Sequence, residues 1–278
     1  MKKYLLMMTM MLTVWGCGMK AQGSADADKM TKEYVNQRVT DIYNDITEAV
    51  NTGKYDQFEF AKRYGSDLFK DLLETAGEWQ QVAGIKIIDR DILLPIDGEG
   101  KFGFKDVETG RLEEQKADVE LTLVNGGEDE YVWLTMVYEN DDWFIDNIGV
   151  ESQEGGVDDL QSQLQSSISM CEYDAEMTKK VLGEWINKDD SDDAVAVAFS
   201  LEETEDGSIR VGTCGVYGAN YEYDAKAFVE GGTLYVTADG FNGNFELGEN
   251  DQLQGHYKLT VPHGGETYEG DITMKHGW

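Results

Sequence analysis

Tyr138-Glu139-Asn140-Asp141-Asp142-Trp143-Phe144-Ile145-Asp146-Asn147-Ile148 is the stretch that decides the fold. Asn140-Asp141 separates two runs rich in aromatic and β-branched residues, 131–139 and 142–148, and both turn residues tolerate the positive φ that a two-residue hairpin demands. A hairpin closed there places Val137 opposite Phe144 and Thr135 opposite Asp146. The other face then carries Val132, Leu134, Met136 and Tyr138 with Trp143, Ile145 and Asn147, an apolar set suited to packing on helices.

Working back toward the start, residues 85–94, 101–105 and 117–124 have the same strand-like composition. Before them the period changes. Val35, Val39, Ile42, Tyr43, Ile46 and Val50 recur at three- and four-residue spacing, which predicts one amphipathic helix ending at Asn51-Thr52-Gly53. A second is expected over 56–64, stopped by Gly65. Ser66 caps a third, with Leu68, Phe69, Leu72 and Leu73 pointing inward and Gly77 closing it. Helices followed by antiparallel strands make the class α+β.

Three helices and a curved sheet that finishes in the 138–148 hairpin resemble the nuclear transport factor 2-like (cystatin-like) domains of secreted bacterial lipoproteins, over residues 31–150. The resemblance implies a sheet wrapped around a cone-shaped cavity. The family includes isomerases, dehydratases, pure binding modules and many domains of unknown function, so fold leaves function open. Tyr138, Trp143, Trp133 and Asp146 are the candidate pocket residues of this domain.

Residues 151–176 read as a connector. A polar, Gly-containing break over 151–156 precedes an amphipathic helix marked by Val157, Leu160, Leu164 and Ile168, with Asp158 and Asp159 at its dipole-favoured start. Its stripe is expected to dock on the first domain, since so short a helix is marginal alone. Residues 177–278 are almost entirely β: Val195, Val197, Phe199 and Leu201 alternate, as do Tyr221, Tyr223, Ala225, Ala227 and Val229, then Leu253, Tyr257, Leu259 and Val261. Strands with one apolar face, joined by Gly-containing turns, form an antiparallel meander that must curl or close. Gly183-Glu184-Trp185 resembles the Gly-x-Trp opening of lipocalin-like barrels, which implies an indole plugging the barrel floor. A small half-open barrel filled by its own side chains and a barrel with a cavity both fit this length. Trp185, Tyr221 and Tyr257 are the candidate pocket residues here.

At the N-terminus, Lys2 and Lys3 precede an apolar run over 4–14 and then Val14-Trp15-Gly16-Cys17. The arrangement resembles a bacterial lipobox, with Trp15 bulkier than the residue usual there, and implies removal of 1–16, lipidation (palmitate) of Cys17, and a tether over 17–30. An ordinary cleaved signal is the alternative. A transmembrane anchor fails on length, because about 20 apolar residues are needed to span hydrocarbon. The expected location is the cell envelope, lipid-anchored, on the periplasmic face or the outer surface.

With 23 basic and 55 acidic residues the formal charge is −32, and removing 1–16, which holds two lysines and no acid, makes it −34. Such a field repels phosphate backbones, so nucleic acid is not an expected partner. Six Trp, fourteen Tyr and ten Phe argue for folded domains in spite of the charge. Cys171 and Cys214 either pair, as an envelope location permits, or serve as two small buried apolar residues.

The three histidines, His256, His263 and His276, all lie in the second domain. Pairing across the 262–266 turn would put His256 opposite Ile272 and His276 near Gln252, so no histidine site is expected. Asp146, Asp89, Asp91, Tyr43 and Tyr138 could do acid/base work of the ketosteroid-isomerase kind, yet their spacing singles none out. No Gly-x-Ser-x-Gly elbow or phosphate-binding loop occurs. The acidic runs 128–130, 139–142 and 189–193 lack an EF-hand pattern and read as solvated loops. No catalytic residue, metal or cofactor is therefore assigned. The leading expectation is non-catalytic binding of a small apolar ligand or an envelope protein. The rivals are an isomerase- or hydrolase-like enzyme using carboxylates of the first domain, and a structural envelope subunit.

Overall fold

In the computed structural model, Thr31 caps the first helix, its Oγ1 accepting from the Tyr34 N–H at 3.2 Å. The helix, α1 (Lys32–Asn51), buries Val35, Val39, Ile42, Tyr43 and Ile46 on one stripe, as the periodicity predicts. Asp56 caps α2 (Gln57–Tyr64), accepting from the Phe58 and Glu59 N–H groups, and Gly65 ends it. Ser66 Oγ caps α3 (Asp67–Ala83), accepting from the Phe69 N–H at 3.0 Å. Gly77 does not close α3. The helix runs on through good helix formers and stops at Gly84, whose φ of +68° is the left-handed conformation a C-terminal glycine supplies. Phe69, Leu72, Leu73 and Ala76 form the buried stripe, while Leu68, one step off it, is 44% exposed.

The structure describes residues 28–97, 100–152, 156–187, 197–205, 207–216, 219–221, 225–238, 240–260 and 267–277. Cys17, the signal segment, the acidic run 189–193 and His263 lie outside them. The chain divides into two compact units, one comprising residues up to Asp71 with Arg90–Gln161 and the other Leu72–Asp89 with Ser162–Trp278.

The first unit contains a five-stranded antiparallel sheet in chain order: β1 (Phe102–Leu112), β2 (Lys116–Asn125), β3 (Glu128–Glu139), β4 (Asp142–Ser152) and β5 (Gly156–Asp159). The run 85–94 is not one of its strands. Side chains take the place of a ladder there: Gln80 Oε1 accepts from the Ile87 and Ile88 N–H groups, Gln57 Oε1 from Ile92, and Asp91 Oδ1 from Leu93 and Leu94. Helix α1 lies along β1 and is stitched to it by Asn51, which both donates to the Phe102 carbonyl and accepts from its N–H. Val119, Leu121 and Leu123 of β2, Val132, Leu134 and Met136 of β3, and Trp143 and Ile145 of β4 are fully buried.

The deciding hairpin forms as read. Asn140 and Asp141 have φ of 49° and 64°, and Val137 pairs with Phe144. Beyond Ile145 the reading needs correction, because a β-bulge makes Asp146 an extra residue and sets Thr135 opposite Asn147. The bulge reverses the alternation, so the core face continues through Ile148 and Val150, not Asn147. It also frees Asp146 to accept from the buried Ser66 hydroxyl at 2.6 Å, beside the Ser66 N–H to Ile145 carbonyl bond. Sheet pairing and the start of α3 are thus fixed together.

The second unit contains α4 (Leu160–Lys180), β6 (Gly183–Ile186), β7 (Val197–Glu203), β8 (Ile209–Val216), β9 (Ala219–Tyr221), β10 (Lys226–Glu230), β11 (Thr233–Ala238), β12 (Phe241–Leu247), β13 (Leu253–Thr260) and β14 (Thr267–His276). Strands β10-β11-β12-β13-β14-β6-β7-β8 follow one another, and pairing of β8 with β10 at Arg210 and Lys226 closes an eight-stranded barrel, with β9 attached to β8. The register of β13 and β14 differs by one residue from that expected: Gly255, not His256, faces Ile272, and His256 faces Asp271. His276 pairs with Trp185 of β6.

The barrel is closed, and among the described residues buried side chains occupy its interior. Trp185, Phe199, Phe241, Phe245, Leu253 and Met274 are among its buried residues, together with Met177 of α4 and Val181 just after it. The last turn of α4, through Met177, therefore packs on the barrel core. Val157, Asp158 and Asp159, read as the start of that helix, belong to β5, and Val157 is exposed. The helix start is capped from outside itself, by Asn147 Oδ1 accepting from the Gln161 N–H at 2.9 Å. Cys171 and Cys214 are both free and buried, and burial pushes the Cys214 thiol up to about 11.

Candidate functional site

An acid/base site in the first unit needs carboxylates and phenols with free valences. Among the candidate carboxylates burial shifts Asp91, and Tyr55 donates to its Oδ1 at 2.8 Å while the buried Tyr43 donates to the Leu93 carbonyl at 3.3 Å. Burial holds the Asp91 carboxyl above its ordinary range in spite of that bond and two more from the Leu93 and Leu94 N–H groups. All three donors converge on one oxygen. The group is an acceptor that shapes the 91–94 turn, and its phenol partner is spent in the same way.

This assignment has a pH signature. Because the folded carboxyl binds its proton more tightly than the unfolded one, the folded state carries the extra proton between the unfolded and the raised folded values. Stability conferred at this position falls as pH rises through that window, and the burial cost is fully present above it. Asp91→Asn keeps the acceptor without the charge and is expected to fold and to flatten that slope. Asp91→Ala strands three donors and should cost about 2–4 kcal/mol. Urea denaturation across the acid range measures both, and an unchanged slope in the Asn variant would refute the reading.

Of the sequence-derived pocket residues of the first unit, Tyr138 and Trp143 are brought together, on the opposite face from Trp133. Trp143 is fully buried, donates from Nε1 to the Lys29 carbonyl at 2.9 Å, and meets the half-buried Tyr138 edge-on at 5.5 Å. Trp133 lies on the opposite face of the sheet, opposite Gly149, with its ring against Tyr131 at 4.8 Å. Asp146 is the bulge residue held by Ser66. In the second unit Trp185 is fully buried with its indole N–H on the Val181 carbonyl at 2.7 Å, and Tyr257 stacks on Phe241 at 6.3 Å. The side chain of Tyr221 lies outside the described part. His256 is on the outer face of the barrel, and its hydrogen bond with Asp271 raises its proton affinity.

A concavity lies on the outside of the second unit. An open cleft of about 540 Å³ runs between one face of α4, formed by Ser166, Ser169, Met170 and Tyr173, and the Gly231-Gly232 turn with Glu246 and Leu247 at the end of β12. Its walls are held by a specific joint. Asp174 accepts from the Gly231 and Gly232 N–H groups at 2.9 and 2.7 Å, one on each oxygen, and fixes the turn against the helix. The turn requires glycine: φ is +59° and +76°, and a Cβ on Gly232 would meet the Tyr173 ring at 2.9 Å. Met170 and Tyr173 are 47% and 50% exposed despite their apolar bulk. Asp174 has both oxygens engaged by backbone donors, and Glu246, the carboxylate among the described residues that lines the cleft, has no ion-pair or hydrogen-bond partner among them.

Sequence reasoning passed over all of these residues. The signal was the spacing of Ser166, Ser169, Met170 and Tyr173, a second helical face beside the buried Leu164, Ile168 and Cys171. No protein family, curated protein or solved structure matches the chain.

Proposed function

We propose that the chain is a cell-envelope lipoprotein, anchored through acyl groups on Cys17, that binds a protein partner on its outer surface and catalyses no reaction. The observation that carries the reading is the filled barrel. A small apolar ligand would have to displace buried side chains such as Trp185, Phe199 and Phe245, at about 3–5 kcal/mol for each large aromatic lost from its packing. The buried Asp91 carboxylate is likewise committed to backbone and phenol donors. Helices followed by a five-stranded antiparallel sheet support a cystatin-like first unit, and the buried Trp185 after Gly183 supports a lipocalin-like second unit. The lipobox supports the anchor. Among the described residues no helix is long and apolar enough to cross a membrane.

Cys17→Ala tests the anchor. Without the acylated thiol the protein should leave the membrane pellet and partition into the aqueous phase of a detergent extraction, while its far-ultraviolet circular dichroism stays unchanged. A membrane fraction equal to wild type would sink the lipoprotein reading.

A further inference from the structure

We propose that the cleft between α4 and the β10–β11 turn is the recognition pocket for a basic side chain, arginine above all, presented by the protein partner. The proposal rests on the surface-binding reading and names the chemistry of one surface. A cleft of about 540 Å³ that stays open to solvent suits a protruding side chain better than an enclosed small molecule. Charge decides which side chain. Glu246 lines the cleft without a partner, Asp174 beside it is occupied, and the chain as a whole carries −32. A second copy of the chain or an acidic partner would be repelled, whereas a cation is drawn in by both the local carboxylate and the long-range field.

The other walls favour a guanidinium. Tyr173 offers half of its ring to solvent, and an aromatic ring beside a carboxylate can take a planar cation by stacking while the carboxylate accepts two parallel N–H bonds. Met170 supplies a deformable apolar surface for the aliphatic stem. Ser166 and Ser169 add hydroxyls at the rim. The walls are also pre-organised, since Asp174 and the two glycines hold the turn before any partner arrives.

The test is a nuclear magnetic resonance titration of the ¹⁵N-labelled chain with Nα-acetyl-arginine methylamide, using the isosteric neutral citrulline derivative as control. Saturable shifts are expected at the amides of Tyr173, Gly231, Gly232 and Leu247 with the arginine probe and not with citrulline. Glu246→Gln should weaken the arginine response about tenfold, which is about 1.4 kcal/mol. This surface substitution leaves the spectrum away from the cleft as a check on folding. Shifts spread over the acidic surface without saturation, equal responses to both probes, or an unaffected Glu246→Gln variant would each overturn the assignment. Its failure is distinguishable from failure of the surface-binding reading. A protein partner that still co-purifies after a negative titration moves the contact to another surface, whereas a small molecule retained inside the barrel removes the reading itself.

Discussion

Replacing Trp185 by alanine is expected to cost about 4 kcal/mol, a large share of the roughly 5–15 kcal/mol of a typical domain. The indole is fully buried, its N–H satisfies the Val181 carbonyl just after α4, and His276 lies against its ring at 4.0 Å between centroids. Truncation removes the largest side chain of the barrel core, leaves a cavity that close-packed neighbours fill only in part, and orphans a carbonyl. Trp185→Phe separates the contributions: it restores most of the volume and leaves the carbonyl bare, so about half of the loss should return. Denaturant titrations followed by circular dichroism give both values. A loss below about 1 kcal/mol for the alanine variant would mean that the barrel floor does not depend on this side chain.

Gly255→Ala is the second large effect. Gly255 on β13 stands opposite Phe245 of β12 and Ile272 of β14. A Cβ there would lie 1.9 Å from the Asn244 carbonyl oxygen and 2.8 Å from the Phe245 Cα, both backbone atoms that no rotamer change can move. The strands must separate locally, and the expected cost is about 3 kcal/mol, at the top of the overpacking range. Gly270→Ala on the neighbouring β14 is the control: nothing lies within 4 Å of its added methyl, so it should be neutral or slightly stabilising through the unfolded state. Equal melting temperatures for the two variants would contradict the close approach of β12 and β13.

What was legible in the chain was what is decided locally. Ser66 is readable as a cap because its hydroxyl accepts from the N–H three residues on, and Asn140-Asp141 is readable as a turn because few residue pairs take positive φ. The bulge at Asp146 was written in the spacing of Trp143, Ile145, Ile148 and Val150, where one interval of three interrupts intervals of two. Strict alternation hid it. The run 85–94 misled because strand propensity reports fit to a half-buried surface, and Gln57, Gln80 and Asp91, distant or polar, supply the hydrogen bonds that a neighbouring strand would otherwise give. The cleft could not be read at all, since its walls are some seventy residues apart in sequence, brought together by the Asp174 joint.

The candidate pocket aromatics have a packing role in common. Trp143, Trp185 and Tyr257 are aromatic residues on inward faces, and inward faces in small units are filled by such side chains. Exposed bulk was the better guide: Met170 and Tyr173 remain outside despite their size, and they flank a carboxylate that no described residue pairs with.

Native mass spectrometry of the full-length protein, released from its own membrane in mild detergent, tests the central claim most directly. The expected result is a chain beginning at Cys17 with the added mass of its acyl groups, alone or joined to a protein partner, and no other bound species. An additional small molecule of a few hundred daltons that stays with the folded protein and leaves on denaturation would contradict a filled, non-catalytic binding protein, and an unmodified chain would contradict the anchor.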